Sequence, residues 1–87
     1  MKRVGSEVLY FYDSWVIPII RDTYGLSDEQ AMRKFISSET YKMLIDEEMK
    51  LFRESPLVIF DMYKCEVETG NPRHSSYIQG DAYAEKS

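Results

Sequence analysis

Residues 55–72 read SPLVIFDMYKCEVETGNP, and both ends of a helix are written into them. Ser55 is a residue type that caps free amides, and Pro56 suits the first helical position, where its missing N–H costs nothing. Gly70 can take the left-handed conformation that stops a helix, and Pro72 forbids continuation. Between these signals Ile59, Phe60, Tyr63 and Val67 recur at helical spacing and predict the inward stripe. The outer face then carries Asp61, Lys64 and Glu68, with Cys65 beside them. No folding argument requires those residues, so they are candidate partner contacts.

Working outward, a first helix is expected from about Ser6 to Tyr24. Val8, Tyr12, Trp15, Val16 and Ile19 mark one face, with Leu9 and Ile20 flanking it. Pro18 lies inside this segment and removes a backbone hydrogen bond, predicting a kink or a break. The apolar pattern continues through Ile19 and Ile20, which favours the kink. Gly25 ends the helix. Ser27 with Gln30 reads as a capping box opening a second helix, whose expected stripe is Ala31, Met32, Phe35 and Ile36. Ser38 starts a third, carrying Tyr41, Leu44, Ile45, Leu51 and Phe52. A break near Asp46 would split it; if it is continuous, Asp46 and Lys50 have favourable acid-before-base spacing. The fold class is therefore all-α: a small bundle of four helices, or five if one breaks. The expected division is a helical domain over 1–70 and an extended C-terminal tail over 71–87. In that tail Tyr77 and Ile78 are apolar enough to be contacts.

Composition narrows the function. Eighty-seven residues make one domain, and 14% aromatic content argues against disorder. Fifteen acids against eleven bases give a net charge of −4. That balance argues against nucleic acid as the main partner, since phosphate binding draws on Lys and Arg. The one cysteine, Cys65, cannot form an internal disulfide and fits a reducing compartment. It reads as a small half-buried residue rather than a nucleophile. Glu7 and Asp13 interrupt the N-terminal apolar stretch, and the run Ser14 to Ile20 is far short of the ~20 residues that span a bilayer. A cytoplasmic protein with no membrane partner is the expectation.

No signature for catalysis, cofactor or metal is present. The glycines are isolated, there is no metal-ligand spacing, and the sole histidine, His74, lies in the expected tail. Ser27, Ser38 and Ser55 each precede a helix and are explained as caps. The acids Asp46, Glu47 and Glu48 are adjacent and do not share a helical face. A helix-turn-helix reading is the alternative: Ile36-Ser37-Ser38 is a tight junction, and Arg33, Lys34 and Lys42 form a small basic cluster. Its recognition helix, Glu39 to Met49, is nevertheless acidic. An acidic mimic of nucleic acid ranks last, because acids and bases are interspersed.

Protein binding fits better. Tyr10, Phe11, Tyr12 and Trp15 cannot all point one way on a helix, so some of them face a second layer or a partner. Tyr10, Phe11 and Trp15 are the leading contacts. Homodimerisation is the default, since small aromatic-rich bundles need extra burial.

The runs Tyr24-Gly25-Leu26-Ser27-Asp28-Glu29-Gln30-Ala31, Phe35-Ile36-Ser37-Ser38-Glu39-Thr40-Tyr41, Ser55-Pro56 and Asp61 through Gly70 resemble short acidic helical bacterial proteins of unknown function, some encoded beside toxin-like genes. The likeness covers roughly half the chain, from Tyr24 to Gly70. It implies a small accessory or antitoxin-like partner protein and assigns no functional residues.

Overall fold

The computed structural model describes residues 3–74. Among these the fold is all-α: helices α1 (Ser6–Tyr24), α2 (Asp28–Ile36), α3 (Glu39–Ile45) and α4 (Pro56–Thr69), with two short 3₁₀ turns between α3 and α4 and without a strand. Tyr77 and Ile78 lie outside the described residues.

α1 is one continuous helix with Pro18 inside it. Gly25 stops it at φ 65°, a backbone angle that disfavours any side chain, and the Leu26 amide returns to the Arg21 carbonyl at 2.9 Å. Its buried stripe is Tyr12, Val16 and Ile20, four residues apart each time. Val8 and Trp15, expected inside, are exposed. The reason is the Tyr12 hydroxyl, which donates toward the backbone carbonyls of Leu51 (3.1 Å) and Glu54 and so fixes how α1 is turned. Tyr24, at the other end of α1, sets its ring edge-on to Tyr63 in the middle of α4, 6.2 Å away. Glu54 lies just before α4, so α1 and α4 run in the same direction.

The capping box of α2 forms as expected. The Gln30 amide donates to Ser27 Oγ at 3.1 Å, and the Ser27 amide donates to Gln30 Oε1 at 3.0 Å. Nine residues bury only the narrow pair Ala31 and Phe35; Met32 and Ile36, expected in the stripe, stay exposed. Ser38 caps α3 by accepting from the Tyr41 amide at 3.1 Å.

α3 ends at Ile45, so Glu39 to Met49 is not a single helix. The Asp46 carboxylate accepts the Glu48 amide at 3.0 Å and opens a 3₁₀ turn, Glu47–Met49, instead of pairing along a helix with Lys50. Lys50 takes φ 58° and reverses the chain into a second 3₁₀ turn, Leu51–Arg53. That reversal buries Leu51 and turns Phe52, expected inside, outward. Ahead of α1, buried Val4 donates its amide to the Ile45 carbonyl at 2.9 Å and clasps the N-terminus to the end of α3.

α4 starts at Pro56 and stops at Gly70, φ 82°, whose amide reaches the Glu66 carbonyl at 2.7 Å. Two details differ from expectation. The Ser55 hydroxyl makes no cap bond; Ser55 is exposed, and solvent can serve those amides. The buried face is Ile59, Met62 and Tyr63, with Phe60 at the edge of the core and Val67 exposed. The rotation follows from Glu66. Its carboxylate accepts the amides of Glu39 (2.9 Å) and Thr40 (2.8 Å) and the Thr40 hydroxyl (2.8 Å), so α4 supplies an anionic cap to the N-terminus of α3. Turning Glu66 toward α3 brings Met62 in and carries Val67 out. Beyond α4, Pro72–His74 form a 3₁₀ turn in which Pro72 is buried.

One chain of edge-on rings joins all four helices. Tyr24 of α1 meets Tyr63 of α4, Tyr63 meets Phe35 of α2 at 6.2 Å, and Phe35 meets Tyr41 of α3 at 5.0 Å. Such pairs contribute about 0.5–1.5 kcal/mol each beyond their buried area.

Candidate functional site

Beside the buried stripe of α1 runs a second, unburied one. Val8, Phe11 and Trp15 recur at i, i+3 and i+7, which places them within one narrow sector of the helix. Phe11 is 48% and Trp15 57% exposed. These are large apolar groups left in water, and contiguous ones mark interaction surfaces.

The stripe forms one wall of an open groove of about 650 Å³. Val8, Phe11 and Tyr12 line it from α1, and Phe52 and Pro56 from the chain entering α4. Glu7, Arg53 and Glu54 add charges of both signs. A smaller hollow shares Val8 and Phe52 and continues toward Val4 and Gly5. Rigid parts build the walls. Tyr12 is anchored at both ring and hydroxyl, and the Phe11 ring meets it edge-on at 5.4 Å. Phe52 faces outward because the left-handed Lys50 and buried Leu51 leave it no inward direction. Glu7, Arg53 and Glu54 form no ion pair among the described residues; the ion pairs found there join Arg21 to Asp22 and Asp28, Arg33 to Glu29, and Lys42 to Glu39.

The sequence-predicted contacts are therefore distributed. Phe11 lines the groove, and Trp15 continues its wall one turn along α1. Tyr10 is 74% exposed but points about 100° or more away from both, and it does not join the stripe. Lys64 and Glu68 are exposed on α4, with Asp61 half-buried, and none of the three lines the groove. Val8, Phe52 and Pro56 were missed as site residues. Only the turn at Lys50, which juxtaposes distant segments, reveals them.

Burial pushes the Cys65 thiol up, and the nearby Asp61 and Glu68 carboxylates push it further, which disfavours the reactive thiolate. Burial also raises Asp13, whose buried Oδ1 has no hydrogen-bond partner among the described residues. No group of three or more His, Cys, Asp or Glu among the described residues could hold a metal ion. None of the described helices is long and apolar enough to cross a membrane.

Comparison with known proteins adds no relative: no family model, curated protein or solved structure matches this chain.

Proposed function

We propose that this chain is a small non-enzymatic protein–protein interaction module, and that the exposed flank of α1 is its working surface. The supporting observation is the groove itself: an apolar trough with exposed aromatic walls, held by a buried tyrosine and bordered by charges without ion-pair partners among the described residues. Rigid aromatic anchors in such a setting dominate the energetics of protein interfaces. The resemblance to short acidic bacterial proteins gives the module an antitoxin-like or regulatory accessory role in the cytoplasm.

The DNA-binding alternative loses support from the geometry of α3. That helix has seven residues, and the Glu66 carboxylate occupies its N-terminal amides. A DNA phosphate approaching there would meet a carboxylate rather than free donors.

Photo-crosslinking in the native host tests the module. A benzophenone side chain at position 11 is expected to give a discrete protein adduct that is lost on adding Trp15→Ser. The same probe at Lys34 is expected to give none. No adduct from position 11 would contradict the reading.

A further inference from the structure

We propose that the occupant of the α1 groove is a second copy of this chain, in a two-fold dimer built on α1. The inference rests on reading this surface as protein-binding, and two features of the surface select self over another partner.

The first is shape. A ridge and a receptacle lie side by side on one surface. Phe11 and Trp15 project from α1 with the spacing of an amphipathic helix that anchors in a groove. The groove opens next to them, between α1 and the segment Phe52–Pro56. A two-fold axis presents the same patch to itself, so each copy's ridge meets the other's groove. At about 650 Å³ the open groove has room for aromatic side chains.

The second is charge. Glu7, Glu54 and Arg53 line that groove without ion-pair partners among the described residues. With the two-fold axis through the groove, the guanidinium of each copy faces a carboxylate of the other, so each cation is answered and the acids of each groove gain one. A partner carrying a single sign of charge would leave one sign opposed. The pattern is self-complementary in electrostatics as in shape.

Sedimentation equilibrium of the full chain, from micromolar to near-millimolar concentration, tests this. The expected result is a reversible dimer that Phe11→Ser and Trp15→Ser each weaken about tenfold or more. Arg53→Glu leaves acids alone in the groove, and Glu7→Arg with Glu54→Arg leaves bases alone. Each protein should be monomeric by itself, and an equimolar mixture should recover dimer mass. Because Glu7 and Arg53 are exposed, and Glu54, half-buried, holds Tyr12 through its backbone carbonyl rather than its side chain, this pair keeps the test valid even if an aromatic variant fails to fold. A wild-type monomer throughout, a charge-swap mixture that stays monomeric, or a dimer broken by Met32→Ser with Ile36→Ser and untouched by Phe11→Ser would overturn the inference. A monomer whose position-11 probe still captures another protein overturns self-association alone. A monomer with no adduct overturns the module reading as well.

Discussion

The junction of α3 with α4 and the flank of α1 handle their chemical groups in opposite ways. At the junction the helix-end amides are answered internally: Glu66 takes three donors from Glu39 and Thr40, and Ser38 takes the Tyr41 amide. On the flank the aromatic groups Phe11, Trp15 and Phe52 stand in water, and Glu7, Arg53 and Glu54 lack ion-pair partners among the described residues. Both regions are held by bonds between distant segments, so the contrast is not one of order against looseness. The junction is finished within one chain, whereas the flank presents what a second surface would complete.

Substitutions can break that contrast, starting with those of greatest expected effect. Phe35→Ala removes the ring that touches both Tyr63 and Tyr41 in the closed half. It should cost about 3–5 kcal/mol, a large part of a small domain's stability, measured by urea unfolding. Glu66→Ala leaves the Glu39 and Thr40 amides without their acceptor and should cost about 1–3 kcal/mol. Glu66→Gln, which keeps one carbonyl oxygen, should recover part of the loss. If Glu66→Ala were neutral, the junction would not be closed in the sense described.

Asp13 sharpens the comparison, because it sits on α1 away from the groove with one buried oxygen that has no hydrogen-bond partner among the described residues. Its carboxyl is raised by burial, so the ionised form that prevails at neutral pH opposes folding. Asp13→Asn should therefore raise the stability measured by urea unfolding slightly, by no more than about 0.5 kcal/mol once solvent screening of a half-exposed group is counted. The gain should shrink as pH falls through the raised folded value and vanish below the ordinary aspartate value of about 3.9, where the native carboxyl is neutral in both states. A gain independent of pH would contradict this account. Least of all, Trp15→Ser should change the stability of the monomer by about 0.5 kcal/mol or less, because that ring covers little of the core. A larger loss would mean that the flank is finished within the chain after all.

What was legible in the sequence follows the same division. The stops at Gly25 and Gly70, the box of Ser27 and Gln30 and the cap at Ser38 are local devices, and all four are present. The excess of aromatics on α1 was also legible, since ring positions at 10, 11, 12 and 15 cannot share one helical face. Which of them faced outward was not, because the Tyr12 hydroxyl decides it by reaching residues 39 and 42 positions away. Nothing in the sequence sets Glu66 apart from the other acids of its helix, for its partners lie 26 and 27 residues back. The second wall of the groove, Phe52 and Pro56, depends on a left-handed Lys50 that no glycine or asparagine announces.

The central claim is that protein covers the flank of α1. Trp15 reports on this directly, being the chain's single tryptophan and standing on that flank. Its fluorescence emission can be recorded across the concentration range of the sedimentation experiment. The account predicts red-shifted emission at low concentration, as for an indole in water, and a blue shift on concentration with the same midpoint as the rise in mass. Emission that stays red-shifted while the mass doubles would place the interface elsewhere and contradict it.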